Sequence, residues 1–311
     1  MAYDILIIDG NSVAHRAGAV LQLTNNRGEP TSVVFGVLSM IRSILGRFEF
    51  SDILICWDLK GSILKKSVYP EYKGHRKKDM PQEYYVNVIK QIEDLVVILP
   101  AFGIKQLRRI GIEADDIIGI LCENIKQKVL VLSSDQDLLQ VISLGADVYY
   151  PPKDIILTGD NFEETYGMRP KDWIFYRTLI GDASDNVKGL PGFGEVTGKK
   201  LISKFGPWPN WFGAENKIKL EVLCEVNKTQ KTVLQSEDVL EVLTRNYSLM
   251  TLGFLDTDSS VEIMAEYNDQ KPVFDEMKIR GYFLEKQFDS FLNRFHSWIH
   301  PFRRVYLRKK D

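Results

Sequence analysis

Cysteine is scarce in this 311-residue chain: Cys56, Cys122 and Cys224 are the only three, far apart and each among apolar residues. So small and odd a set builds no disulfide framework, and core packing in a reducing compartment is expected. The four histidines (His15, His75, His296, His300) show no zinc-ligand spacing. No serine nucleophile elbow is present. No apolar run reaches the length of a membrane-crossing helix. The N-terminus opens on a strand-like run without a basic leader or cleavage site, so the expected location is the cytoplasm. There is no internal repeat and no low-complexity tract. Nor is there an excess of positive charge: 40 Lys and Arg stand against 42 Asp and Glu, for a net charge of -2. A basic balance is the usual footprint of nucleic-acid binding. What remains is an ordinary globular composition, 44% hydrophobic, with ample core for one large domain or two.

The near-neutral total hides segregation. Lys60, Lys65, Lys66, Lys73, Arg76, Lys77 and Lys78 crowd one segment, relieved only by Glu71. Arg294, Arg303, Arg304, Arg308, Lys309 and Lys310 crowd the C-terminus. Lys188, Lys199, Lys200 and Lys204 surround a glycine-rich turn. Three basic clusters beside an acidic pocket point to a groove for a polyanion.

The acids are placed by three apolar runs that each end on aspartate: Ile5 to Asp9, Ile53 to Asp58 and Val129 to Asp135. Such runs suit strands buried on both faces of a parallel sheet. Ligands of open α/β sheets bind beyond the carboxyl ends of the strands. Amphipathic helices are expected at Val33–Phe48 and Glu113–Ile125, a strand at Phe102–Leu107, and short strands at Val148–Tyr150 and Ile155–Leu157. This alternation predicts an α/β fold with a mostly parallel sheet over residues 1–160. From Asn161 to residue 311 the pattern is mostly helical. Segment 60–82, basic and punctuated by Gly61, Pro70, Gly74 and Pro81, reads as an insertion over the ligand edge.

Two carboxylate groups follow. Asp9, Asp58, Glu113, Asp115 and Asp116 form a candidate first metal site, and Asp135, Asp137, Asp182 and Asp185 a second. Neighbouring carboxylates repel by roughly 4 kcal/mol per pair at about 4 Å and an effective dielectric near 20. Gathering so many calls for divalent cations, and oxygen-only ligands select Mg2+ or Mn2+. Two such ions suit phosphodiester hydrolysis. The turn Gly189-Leu190-Pro191-Gly192-Phe193-Gly194 runs into Glu195-Val196-Thr197-Gly198-Lys199-Lys200. It fits a helix-hairpin-helix turn, in which backbone N–H groups at a helix start meet a phosphate and lysines add charge without reading sequence.

Several motifs occur in one order: Ile8-Asp9-Gly10-Asn11-Ser12, Tyr72-Lys73-Gly74-His75-Arg76, Gly111 to Asp116, Ser134 to Asp137, and Gly181 to Val187 leading into the glycine turn. In these the chain resembles the 5′ nuclease (flap endonuclease) family over residues 3–206, bacteriophage 5′–3′ exonucleases most of all. The resemblance implies a PIN-like domain, a helical arch or clamp over about 60–100, and a helix-hairpin-helix variant for duplex DNA. It implies that the two carboxylate groups hold two metal ions. Lys73, Tyr72 and Arg76 would stand at the arch base beside the scissile phosphate, with Arg16 behind the first metal ligand. Lys65, Lys66, Lys77 and Lys78 would line a passage for single-stranded DNA, with Tyr69 and Tyr72 for base stacking. Gly192, Gly194, Lys199 and Lys200 would grip duplex, and K+ could sit at that turn.

The reaction expected is hydrolysis of DNA, or of RNA paired to DNA, from 5′ ends or at 5′ flaps, in replication, primer removal, repair or recombination. No polymerase segment follows, so a monomeric, stand-alone nuclease is expected, with the aromatic and basic stretch 207–311 free for a replication-protein partner. A binding-only module would show a degenerate carboxylate set. A phosphatase of the aspartyl-phosphate class needs an aspartate where Asn11 stands. A PIN-type ribonuclease would lack the glycine turn.

Overall fold

Strands that are apolar on both faces pair in parallel and bury both sides under helices. A computed structural model describes residues 2–74, 82–212, 217–253 and 257–309. Its main sheet holds β1 (Ile5–Asp9), β2 (Asp52–Leu59), β3 (Lys105–Ile110), β4 (Val129–Leu132), β5 (Asp147–Tyr150) and β6 (Ile155–Leu157). The order is β3-β2-β1-β4-β5-β6, parallel except for the β5–β6 hairpin. Side chains alternate between faces, as the period of two demands. Leu6, Ile8, Ile53, Ile55 and Trp57 share one core with Val34, Val37, Leu38 and Ile41 of α2 (Ser32–Arg47) and Leu95 of α4 (Gln82–Ile98). Ile5, Ile7, Leu54 and Cys56 share the other with Ile117, Ile118 and Leu121 of α5 (Ala114–Asn124).

The later helices close both cores. They are α6 (Gly159–Tyr166), α7 (Trp173–Ile180), α8 (Glu195–Phe205), α9 (Lys217–Cys224), α10 (Lys228–Leu234), α11 (Val239–Met250), α12 (Thr257–Asp269), α13 (Glu276–Lys286), α14 (Asp289–Leu292) and α15 (Phe295–Arg308), with a small hairpin β7 (Gly181–Asp182)–β8 (Val187–Lys188). Phe283, Phe291, Trp298 and Phe302 join the α2 side, and Phe291 stacks on Trp298 with centroids 4.1 Å apart. Phe162, Trp173, Trp208 and Trp211 join the α5 side. Each core therefore draws on residues from both sides of position 160. The C-terminal aromatic run and the stretch around Trp208 are core.

Three expectations shift. The third strand stops at Leu132 because side chains bend the chain out of the ladder: Asp135 N–H donates to Ser133 Oγ at 2.9 Å and Asp137 N–H to Asp135 Oδ1 at 2.8 Å. The strand expected from Phe102 starts at Lys105, after Pro100 and Gly103, whose φ is 75°. Cys56 and Cys122 are buried as expected, but Cys224 is exposed at the end of α9.

The motif Asp9-Gly10-Asn11-Ser12 ties three strands together. Asp9 caps α1 (Gly10–Val20) by accepting from Ser12 N–H at 3.0 Å. Asn11 Oδ1 accepts from Asp58 N–H at 2.8 Å, and Ser12 Oγ from Ser134 N–H at 2.9 Å. Gly10 lies against the Trp57 indole, where a Cβ would come within 2.4 Å of Cε3. Gly10→Ala should therefore destabilise by about 1–3 kcal/mol, the usual cost of overpacking a tight core. Gly46→Ala, in open space on α2, should gain about 0.4–1 kcal/mol. Urea midpoints at constant slope check both, and a neutral Gly10→Ala contradicts the contact.

Candidate active site

The sheet's carboxyl edge receives its acids in a fixed order. Asp9 Oδ2 accepts from Ser133 Oγ–H at 2.8 Å, which sets the carboxylate between β1 and the turn after β4. Asp58 Oδ1 accepts from Ala114 N–H at 2.8 Å and so pins the first turn of α5 to the end of β2. That turn carries Glu113, Asp115 and Asp116. Their carboxylate oxygens lie within 4.8 Å of one another, the one such group of acidic, His or Cys side chains among the described residues. Asp116 is further held by Gly253 N–H, which donates to Oδ1 at 3.2 Å.

Two lysines and a tyrosine meet these acids. Lys73 Nζ lies 2.5 Å from Glu113 Oε1 and 3.5 Å from Asp185 Oδ2. Lys73 has φ 55°, and its N–H donates to Asp185 O at 2.9 Å. Left-handed backbone at a non-glycine residue costs about 1–3 kcal/mol, which neighbouring contacts must offset. Tyr72 is buried, with its hydroxyl 2.9 Å from both Glu113 Oε2 and Asp185 Oδ2. It bridges the two predicted groups and offers no ring face for a base, contrary to the stacking expected of it. Tyr69 is covered by Arg245, 4.8 Å above its ring. Lys65, expected along the strand passage, is buried on α3 (Ile63–Val68), with Nζ 3.1 Å from Glu113 Oε2, 3.0 Å from Asp116 Oδ2 and 3.6 Å from Asp115 Oδ1.

In the second group, Arg177 of α7 stands between two carboxylates, 2.7 Å from Asp137 Oδ1 and 2.5 Å from Asp182 Oδ2. Asp182 is turned by Ser184 N–H at 2.7 Å. Arg177 was absent from the residues singled out by sequence. Its signal was there: a single charge within the apolar run Trp173 to Ile180.

Burial raises proton affinity here. Asp9 goes from 3.8 up to about 7 through burial and then Asp135. Burial lifts Asp116 to about 7, with Asp115 adding to the shift. Asp137 reaches about 7 through burial, despite Arg177. Asp135 reaches about 6 through burial, aided by Asp115 and Asp185. Asp58 is also raised by burial. Burial pushes Glu113 the same way, but Lys73 and Lys65 outweigh it and bring it down to about 2. Burial favours the neutral Lys65 amine, yet the surrounding carboxylates hold it well above its ordinary value.

The remaining candidates lie farther out. Arg16 is half-buried on α1, its guanidinium 3.4 Å from Pro151 O. Lys66 is exposed beside Lys65. Arg76, Lys77 and Lys78 lie outside the described residues. Gly192, with φ 81°, has its carbonyl held by Gln230 Nε2 at 2.7 Å, and Gly194 precedes α8 with no side-chain cap. Lys200 lies 2.6 Å from Glu225 Oε2, and Lys199 lies 3.9 Å from Glu195.

At the carboxyl edge of this parallel sheet, Glu113, Asp115 and Asp116 form an oxygen-only donor group that could hold a metal ion. Residues 4–167 match the family described as 5'-3' exonuclease, N-terminal resolvase-like domain. A 5'-3' exonuclease of Buchnera aphidicola (Schizaphis graminum strain) is 36% identical over 219 residues, covering 69% of this chain and 75% of that one. DNA polymerase I of Bacillus caldotenax is 31% identical over 308 residues, 96% of this chain but 33% of the polymerase. The chain belongs to the 5′–3′ exonuclease family and is a nuclease. The fold is that of the bacteriophage T5 5′-exonuclease crystallised with zinc, at TM-score 0.64 and 19% identity, covering 91% of this chain and 99% of that one. The catalytic core of Rad2, solved with DNA substrate, has the same fold at TM-score 0.55 and 17% identity over 92% of this chain and 88% of its own. No described helix is long and apolar enough to cross a membrane.

The raised aspartates have a consequence for stability. Asp9, Asp116 and Asp137 move from 3.8 to about 7 on folding. Between those values the folded chain binds more protons than the unfolded chain, so stability falls as pH rises through that window. Glu113, lowered from 4.5 to about 2, acts oppositely and overlaps only the lower end of that window. In EDTA the thermal midpoint should rise as pH drops from about 8 to about 5, by about 2–4 °C for each kcal/mol gained. Saturating Mg2+ should remove the trend, because the ion competes with these protons. A metal-free midpoint that climbs steadily with pH contradicts the assignment.

Proposed function

We propose that this chain is a metal-dependent, structure-specific 5′ nuclease that hydrolyses phosphodiesters at DNA 5′ ends and 5′ flaps, with RNA–DNA hybrid as a further substrate. The observation that carries the reading is the convergence of Glu113, Asp115 and Asp116 at the edge where Asp9 ends β1 and Asp58 stands one residue before the end of β2, bridged by Tyr72 and Lys73 to Asp185. The hard, all-oxygen donor set fits Mg2+, with Mn2+ as substitute. Asp9, Asp58, Glu113, Asp115 and Asp116 would hold the first ion; Asp135, Asp137, Asp182 and Asp185 would hold the second. Bound there, the ions acidify water and neutralise charge developing on phosphate.

The protein's own groups position the reaction. Lys73 presents a cation at the junction of the two groups, where charge on a scissile phosphate would develop. Tyr72 fixes Lys73 by anchoring its neighbour between Glu113 and Asp185. Residues 1–160 carry most of the chemistry, joined by Asp182 and Asp185 at the second ion, and the rest of 161–311 would supply the duplex grip at the Gly192–Gly194 turn, where K+ would bind, and a surface for a replication-protein partner. Arg76, Lys77 and Lys78 would meet the single-stranded 5′ arm. The enzyme would act as a cytoplasmic monomer and leave 5′-phosphate and 3′-hydroxyl ends.

Two measurements test this. In single-turnover assays with Mg2+ and a 5′-flap substrate, Asp116→Asn should lose several orders of magnitude in cleavage while binding DNA at least as tightly. Lys73→Ala should lose about 100- to 1,000-fold in rate, the usual effect of removing one preorganised charge. Near-normal cleavage by Asp116→Asn refutes the reading. For the duplex grip, affinity should fall with salt in proportion to phosphates neutralised, and Lys199→Ala/Lys200→Ala should flatten that slope. An unchanged slope moves the grip elsewhere.

A further inference from the structure

Lys65 is 5% exposed and lies inside the acidic cage, not on the basic surface its neighbours suggest. An ammonium has three donor hydrogens, and Nζ faces one oxygen from each of Asp116, Glu113 and Asp115 at 3.0, 3.1 and 3.6 Å. Lys65 and Lys73 divide the Glu113 carboxylate, Lys65 on Oε2 and Lys73 on Oε1. Lys73 reaches on to Asp185, whereas the ion pairs of Lys65 stay within the trio. A divalent ion using these oxygens would need them at about 2.0–2.1 Å, in the volume that Nζ now fills. Two cations of total charge three repel too strongly to share it.

We propose that Lys65 is a tethered counter-ion that holds the cage together before metal arrives, and that the first divalent ion enters by displacing its ammonium. Lys65 is then a positioning residue that sets metal affinity. This rests on the reading of Glu113, Asp115 and Asp116 as the first metal site. The tether suits an exchange. The backbone is fixed, because Ser62 Oγ accepts from Lys65 N–H at 3.0 Å at the start of α3. The head rides on a flexible four-carbon stem that can swing without moving the helix. A tethered competitor acts at a high effective concentration, so it weakens metal binding with no change in the ligands.

The test uses the full chain without DNA, with Mn2+ as probe. Calorimetry should show Lys65→Met binding Mn2+ about ten-fold tighter or more, from loss of the tethered competitor. Its thermal midpoint in EDTA should drop, and Lys65→Arg, which keeps the charge, should bind Mn2+ like the wild type. Reductive methylation read by mass spectrometry should find wild-type Lys65 protected in EDTA and labelled in saturating Mn2+. This second measurement decides the matter if Lys65→Met fails to fold. Lys65→Met binding Mn2+ no tighter than wild type, or Lys65 equally protected with and without Mn2+, overturns the proposal. If Asp116→Asn leaves Mn2+ affinity unchanged, the cage is not the metal site and the proposal falls with that reading. If Asp116→Asn abolishes tight binding while Lys65→Met changes nothing, the Lys65 proposal alone falls.

Discussion

Repulsion among carboxylates gathered at one sheet edge is the constraint on which the rest of this structure depends. β1, β2 and the turn after β4 each deliver an aspartate there, and the first turn of α5 adds three more acids. No fold would hold them together unaided at roughly 4 kcal/mol per close pair. The structure answers with cations at defined places: Lys65 within the trio, Lys73 between the trio and Asp185, and Arg177 between Asp137 and Asp182. Protons supply the rest, as the upward shifts of Asp9, Asp116 and Asp137 indicate.

The link between the two carboxylate groups is a dipeptide. Tyr72 places one hydroxyl against Glu113 and Asp185, and Lys73 follows it in a left-handed turn locked by the Asp185 carbonyl. Tyr72 is anchored in a small apolar cluster with Ile174 of α7, Val187 of β8, and Leu249 and Met250 of α11. Arg245 of the same α11 covers Tyr69. A helix far along the chain therefore holds the segment that positions Lys73. Strain at Lys73 persists because packing on several sides determines it.

Much of this was legible in the sequence, for physical reasons. Strands buried on both faces leave continuous apolar runs, so β1 and β2 stand out, with Asp9 at the end of the one and Asp58 next to the end of the other. The β6 bounds Ile155–Leu157 and the helix after Ser32 followed from spacing alone. What was hidden depended on side-chain geometry. β4 ends three residues early because Ser133 and Asp135 take over its hydrogen bonds. Lys65 and Lys66 read alike as basic surface, yet one turns into the acidic cage and the other into solvent. Helical phase on α3 separates them, and so short an element has no periodicity to reveal it. Tyr72 looked like a stacking platform because an aromatic ring carries no sign of which contact its hydroxyl will make. Arg177 was passed over because charge beside acids 40 and 5 residues away in sequence becomes an ion pair only after folding.

The central claim is that this edge exists to hold a divalent cation. The most direct test is anomalous diffraction from crystals of the protein soaked in Mn2+. The account predicts an anomalous peak bounded by Glu113, Asp115 and Asp116 on the side of Asp9 and Asp58. Saturating Mn2+ with no ordered ion in that cage would contradict it.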